Sequence, residues 1–534
     1  MDAQTISAKR ATLRAEEARL ALQLSNVRSQ LNELVPVSSL PTDILEEVFA
    51  ICVSWLYGSQ KPKYRLAWTQ VCRVWRRVSL DSARLWHCID LSDPRFAREF
   101  LARSKSSPIS IISASPLKLY TADLHSHAKR LQSIDVFLFP DDLVDLFTNI
   151  GPDLSKLTEL SLRIPPVASS LTLDISISNV QRLTLDAVAV KWDTCMGLTH
   201  LSLRGLIAAF SPSITELQSI FSNSPYLEYI RLENLDPTPR ADDDTTVVHL
   251  AHLHELVILG KDRLISAILS CISFTPRARL RLTCTNFQDF STFLPKGLPY
   301  SPDENLAIEG IRLTSQGITF LHPSSLSHPW SNELQDLVAS ISSTSQMGPI
   351  ILSSAPKLCN LFSITVIELN TNVLHEPSST SPATPSLSAR FEDLLTSTVN
   401  LTTLRISQNP LDNLLTILST PPSSSHPIIC PHLSRISFGR SETIWWHFHK
   451  SLDSVLRMIS TREEASPGKL KVVEFVKCHG VTTENVKGRI DSGGSVGERS
   501  EGISDHERSD VELVVVDCPV ISRTGSLRSV TLKF

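Results

Sequence analysis

Few groups of polar side chains in the 534 residues carry a spacing that could support chemistry. Gly493-Gly494-Ser495-Val496-Gly497 reproduces the Gly-x-Ser-x-Gly pattern of a serine nucleophile. That chemistry needs a strand running into the serine and a helix leaving it, because the strained turn exposes the hydroxyl. Residues 488–510 around it are Gly-, Ser- and charge-rich with almost no apolar content, so the segment reads as a loop and no catalytic residue is assigned. His249, His252 and His254 fall together in VVHLAHLHEL. Zinc would need a third or fourth ligand in fixed geometry and a supporting shell. The leucines between them read as core, which puts the histidines on the surface beside a strand with no metal. Trp445-Trp446-His447-Phe448-His449 is aromatic enough for a ligand face, or for packing at a helix start. No Walker loop, dinucleotide fingerprint or His-Glu-x-x-His occurs, and no cofactor is expected.

The scaffold is bounded by composition. Hydrophobic residues at 42% and charged residues at 20% indicate a substantial core. A formal charge of −4 supplies no general drive toward nucleic acid or anionic membrane. The 10 cysteines, from Cys52 to Cys518, include no Cys-x-x-Cys pair and read as reduced, mostly buried thiols. The N-terminus is charged and helical in pattern, unlike a secretory signal, and no apolar run approaches membrane-spanning length. A cytoplasmic or nuclear protein is expected.

Residues 40–91 are the most informative stretch. Leu40-Pro41 leads into apolar residues at Ile44, Leu45, Val48, Phe49 and Cys52, which stripe one side of a helix. A second stripe follows at Trp68, Val71, Cys72, Trp75 and Val78, and Leu85-Trp86 with Ile89 closes the segment. About fifty residues of short helices cannot bury all these side chains among themselves, so another surface is expected to cover some of them. The Leu-Pro-x-Asp-Ile-Leu-x-x-Val-Phe opening, the Val71-Cys72-Arg73-x-Trp75-Arg76 centre and the Leu85-Trp86 close resemble an F-box, of the kind common in large fungal F-box families. The resemblance implies docking on the Skp adaptor of a cullin–RING ubiquitin ligase through Leu40, Pro41, Ile44, Leu45, Val48, Val71, Trp75 and Trp86. The long polar link from Tyr57 to Tyr64 departs from the pattern. A helical cap on the downstream domain is the alternative reading.

Residues 1–36 carry a heptad helix. Ile6, Leu13, Leu20, Val27 and Leu34 recur every seven residues, with Leu24 and Leu31 between them and Arg10 and Glu17 interrupting the first half. The seam serves either self-association or a helix lying on the chain's own F-box region, and Pro36 ends it.

After the F-box segment, 37–92, a different period takes over. Strand patterns of the form Leu-x-x-Leu-x-Leu recur at Leu157/Leu160/Leu162, Val180/Leu183/Leu185, Leu198/Leu201/Leu203, Leu227/Ile230/Leu232 and Leu253/Leu256/Ile258. Later copies stand at Leu401/Leu404/Ile406, Leu433/Ile436/Phe438, Leu470/Val473/Phe475 and Leu527/Val530/Leu532. Helical patterns separate several of them, such as Leu143/Leu146/Phe147/Ile150 and Ile214/Leu217/Ile220/Phe221. The expected fold class is α/β: a short helical F-box module, then over 93–534 an array that resembles a leucine-rich-repeat solenoid of parallel strands backed by helices. A doubly wound α/β domain is the alternative. Segments 376–390, 419–427 and 488–510, rich in Ser, Pro or Gly, are expected to be flexible insertions.

In each strand the residues between the leucines face the open side of the sheet. Arg163, Arg204, Tyr229, Arg231 and Arg405 lie there and are residue types that anchor protein interfaces, while simple solvation of that face would place them equally well. The resemblances together imply a ligase adaptor without catalysis of its own, holding the Skp adaptor and cullin at one end and a client protein on the repeats. A repeat scaffold that never joins a ligase is the alternative.

Overall fold

The computed structural model describes residues 3–55, 62–113, 124–151, 154–165, 171–237, 246–275, 278–285, 310–314, 317–321, 337–343, 352, 355, 361–370, 387–407, 412–420, 428–439, 452–465, 469–476, 511–516 and 529–533. It divides into two compact units, Met1–Pro212 and Ser213–Phe534.

The first unit begins with helix α1 (Ala3–Glu33), a 3-10 turn (Pro36–Ser39), α2 (Thr42–Trp55), a 3-10 segment (Pro62–Gln70), α3 (Arg73–Asp81) and a 3-10 turn (Ala83–Trp86). Strand β1 (Cys88–Asp90), α4 (Pro94–Arg103), β2 (Ile109–Ser113), β3 (Leu131–Phe137), α5 (Pro140–Ile150) and β4 (Glu159–Arg163) follow. The unit ends with β5 (Leu171–Thr172), β6 (Arg182–Asp186), β7 (Val188–Ala189) and β8 (His200–Arg204). Its main strands pair in chain order and all in parallel, as β1–β2–β3–β4–β6–β8. Strand β1 lies inside the stretch read as F-box from sequence, so the ladder starts before residue 93.

The second unit contains α6 (Ile214–Ser222), β9 (Tyr229–Glu233), β10 (Val248–Leu250), β11 (Glu255–Gly260), α7 (Asp262–Cys271), β12 (Ile272–Phe274) and β13 (Arg279–Cys284). After these come β14 (Gly310–Thr314), β15 (Gly317–Leu321), β16 (Leu337–Ser343), β17 (Val366–Asn370) and β18 (Thr403–Ser407). The remaining strands are β19 (Arg435–Gly439), β20 (Val472–Val476), β21 (Glu512–Val516) and β22 (Ser529–Lys533), with helices Leu387–Ser397, Asp412–Leu418 and Leu452–Ala465 between them. The ladder runs β9–β11–β13–β16–β15–β14–β17–β18–β19–β20–β21–β22. It is parallel except where β15 inserts between β14 and β16 and where β22 folds back on β21. Val530 and Leu532 therefore sit in an antiparallel closing strand, not in a further parallel copy. The expected insertion 376–390 overlaps helix Leu387–Ser397 at its last four residues.

Register explains why the leucines recur. Leu160 pairs with Leu183 and Leu183 with Leu201, while Leu162, Leu185 and Leu203 form the next row. In the second unit Ile367, Leu404, Ile436, Val473 and Leu513 form one continuous row. All of these side chains are buried, and each gains about 1.5–3 kcal/mol of transfer free energy that no single strand could secure alone. The first apolar residue of each motif has a separate task. Leu157, Val180, Leu227, Leu253, Leu401 and Leu433 each donate their N–H to the carbonyl three residues earlier, forming a tight turn that aims the chain into its strand. At the far end of three strands the next residue enters the left-handed region: Ala187 (φ 60°), Gly205 (φ 63°) and Asn234 (φ 53°). Glycine and asparagine take that conformation readily; alanine does not.

The interstrand helices bury the faces their patterns require. Leu143, Leu146, Phe147 and Ile150 line α5, and Leu217, Ile220 and Phe221 line α6, whose start carries a capping box between Ser213 and Glu216. The chain-order pairing of the first unit, without a reversal of strand order, does not match a doubly wound sheet. Among the described residues no helix is long and apolar enough to cross a membrane.

Candidate functional site

Helix α2 has two faces. Leu45, Phe49 and Val53, spaced four apart, are buried. Phe49 is the hub, stacked at 6.3 Å on Trp68 and edge-on at 4.9 Å to Trp75. The opposite stripe of Ile44, Val48 and Ile51 is 45%, 42% and 47% exposed. One helix thus fastens itself to its own module with one side and offers branched aliphatic side chains to solvent with the other.

Surrounding contacts hold that face still. Glu46 accepts a hydrogen bond from Ser82, and Glu47 accepts one from Arg84 at 2.6 Å, tying α2 to the turn at 83–86. Trp86 lies beneath, its indole Nε1 donating to the Ser79 carbonyl at 2.7 Å. Its ring meets Phe100 edge-on at 4.9 Å and carries the Arg103 guanidinium 4.5 Å above its centroid. The expected second stripe is not one helix. Cys72 is extended and caps α3, its Sγ accepting from the Trp75 N–H at 3.4 Å, which leaves Trp68 on the preceding 3-10 segment.

The eight residues read as a docking set therefore separate. Leu40, Pro41, Ile44, Val48 and Val71 are exposed, Trp75 is half-buried against Phe49, and Leu45 and Trp86 are sealed inside. Leu45 and Trp86 consequently act as supports for the surface and are not part of it. Ile51, absent from that set, completes the outer stripe; its spacing of seven from Ile44 was the available signal. The link at 56–61 lies outside the described residues, as do Trp445–His449 and the Gly493–Gly497 segment.

The open sheet face is chemically quieter than its arginines suggested. Arg163 binds Asp135 at 2.9 Å, Arg182 lies 3.8 Å from Glu159, and Arg281 binds Glu255 at 3.2 Å. Arg231 binds Glu233 two residues along its own strand at 2.6 Å. Burial works against the Arg231 cation, but the Glu233 carboxylate and Tyr229 outweigh it and hold its pKa up. Arg405, expected to be open to a client, is only 5% exposed and bonds Glu368, which also binds Arg312. Arg204 is exposed and lies in register with Asp186, itself in register with Arg163. Tyr229 and Arg405 sit seven ladder positions apart, roughly 34 Å, so the five candidates do not converge. His249, His252 and His254 are exposed; His249 Nδ1 lies 3.0 Å from Ser273 Oγ and His252 packs on Tyr226. Among the described residues no group of His, Cys, Asp and Glu could hold a metal ion.

No protein-family model matches the chain, and no curated protein matches it in sequence. A solved structure, the crystal structure of a TLR13–ssRNA13 complex, is similar over 70% of this chain at 12% identity with a TM-score of 0.27. The match spans 42% of that chain's length.

Proposed function

We propose that this protein is a client-recognition adaptor of a Skp–cullin–RING ubiquitin ligase, with an F-box over 37–92 and a leucine-rich-repeat-like array after it. The observation that carries the reading is the two-sided α2. Its inner stripe packs around Phe49 and its neighbours, while the outer stripe of Ile44, Val48 and Ile51 stays exposed outside the core of the described residues. Leu40 and Val71, at 37% and 58% exposure, extend the apolar surface offered by the same module. Aliphatic side chains held rigidly in water are the expected signature of an interface. The rate effect needs no catalytic group: tethering a client beside the charged ubiquitin carrier raises its effective concentration. Client binding is assigned to the open faces of the strand ladders, each unit taken by itself. Capture of a phosphorylated client by Arg163 or Arg231 would require displacing Asp135 or Glu233.

Co-purification tests the proposal. Tagged wild-type protein should recover the Skp adaptor and cullin, and Ile44→Asp with Val48→Asp should lose both at an unchanged melting temperature. Recovery of neither by the wild type would refute the ligase assignment and leave a repeat scaffold outside any ligase.

A further inference from the structure

Helix α1 is 31 residues long, and among the described residues nothing covers its apolar seam. Ile6, Leu13, Leu20, Leu24, Val27, Leu31 and Leu34 are all exposed. The helix touches its own module with a different side. Arg73 of α3 donates to Ser25 Oγ at 2.7 Å and to Asn26 Oδ1 at 3.4 Å, and Ser25 and Ser29 are the half-buried positions along α1. Ser25 and Ser29 lie roughly 100–180° around the helix from the seam residues. The polar back is therefore docked, and the seam points away from the F-box module. Among the described residues the leucines do not lie on the chain's own surface.

The seam also specifies its occupant. In heptad terms Ile6, Leu13, Leu20, Val27 and Leu34 hold one core position, and Ala3, Arg10, Glu17, Leu24 and Leu31 hold the other. The N-terminal half is thus interrupted by charge and the C-terminal half is wholly apolar. A parallel pair would set Arg10 against Arg10 and Glu17 against Glu17 in the same layers, two like-charge contacts in a desolvated core. An antiparallel pair centred between Ala18 and Arg19 removes both. Leu13 then meets Leu24, Ile6 meets Leu31, Glu17 meets Leu20 and Arg10 meets Val27, so each of these layers holds at least one aliphatic side chain. Arg10 and Glu17 can extend their heads to solvent along the flank.

We propose that α1 pairs with α1 of a second copy of this chain as an antiparallel coiled coil, making the protein a homodimer. The two-fold arrangement brings each charged half-seam onto the partner's apolar half, which is what an isologous interface requires. More than four heptads are available, and packing of an apolar face supplies most of a helix's stability in proteins. The proposal is independent of ligase membership, because no residue of the α2 outer stripe takes part.

Sedimentation equilibrium on the full chain should give twice 59.1 kDa. Leu20→Asp with Leu24→Asp should give a monomer that keeps the wild-type near-ultraviolet circular dichroism, since both side chains are exposed in the monomer, and that melts without the wild type's dependence on protein concentration. Orientation is read with a short bismaleimide. A mixture of Leu13→Cys and Leu24→Cys chains should cross-link to each other, while Leu13→Cys alone should not cross-link through that residue, because its copies would lie about 16 Å apart along the axis. Cross-linked peptides mapped by mass spectrometry distinguish these products from native thiols. A monomeric wild type, a dimer indifferent to the aspartates, a Leu13→Cys self-cross-link, or a monomer that pairs only with a different protein would each overturn the assignment.

Discussion

Glu368 and Arg405 face each other across adjacent parallel strands, Arg405 Nη1 donating to Glu368 Oε1 at 2.7 Å, with both side chains buried. Arg312 completes the arrangement from the other side, donating Nε to Glu368 Oε2 at 2.5 Å. One carboxylate thus spends both oxygens on two strands that are far apart in sequence but flank β17 in the ladder. The pair holds an irregular junction together, where β14 leaves the antiparallel insertion and rejoins the parallel array.

Removing the carboxylate should be costly. Glu368→Ala removes the carboxylate that faces a buried guanidinium and is expected to lower stability by about 3–5 kcal/mol, whereas Glu368→Leu with Arg405→Met should recover most of that loss. Urea unfolding of the two variants checks the contrast. Equal loss in both would mean that packing, not charge, governs the site.

The left-handed positions after β6 and β8 make the same demand, filled by alanine at one and by glycine at the other. Ala187→Gly relieves a strained φ and should stabilise by roughly 0.5–1 kcal/mol, while Gly205→Ala should destabilise by about 1 kcal/mol. A Cβ at Gly205 would also stand 3.3 Å from Asp186 Oδ1. Thermal melts of the two single variants should move in opposite directions.

The two faces of α2 should separate fold from binding. Phe49→Ala removes the ring shared by Trp68 and Trp75 and should cost about 3–5 kcal/mol. Ile51→Asp, on the exposed stripe, should leave the melting temperature within a degree or so, since substitutions clear of the core are usually worth under about 0.5 kcal/mol. Differential scanning calorimetry distinguishes them; a large loss with Ile51→Asp would mean that the outer stripe is part of the core.

Buried thiols set an alkaline limit. Burial pushes Cys195 and Cys271 up to about 12 and Cys430 up to about 11. Each folded thiol keeps a proton that the unfolded chain gives up near pH 8.5. Their contribution is intact below that value and is lost as pH rises toward 11 and 12. Peptide mapping after iodoacetamide at pH 8 should find these three unmodified in native protein, and Cys271→Ala should flatten the decline in stability between pH 9 and 11.

Much of the architecture is legible in the chain. The Leu-x-x-Leu-x-Leu spacing announces strands with one buried face because strand side chains alternate, and the ladders pair those leucines row upon row. The patterns over 143–150 and 214–221 become α5 and α6 for the same reason at a period of 3.6. The break at Cys72 was not legible, because Trp68 and Trp75 keep a helical spacing across an extended residue. Nor was the insertion of β15, since pairing between distant strands leaves no local period.

Local sequence determined which positions are apolar, which segments are strands or helices, and that α1 and α2 each carry a stripe. Only the tertiary structure decided what those stripes and charges are available for. Burial depends on neighbours supplied from elsewhere in the chain. Leu45 and Ile44 are adjacent and both aliphatic, yet one is 2% exposed and the other 45%, because Phe49 and its tryptophans gather on one side of α2 alone. Likewise Arg405 reads as an open cation in the sequence, and the strand register that places Glu368 beside it turns it into a structural tie.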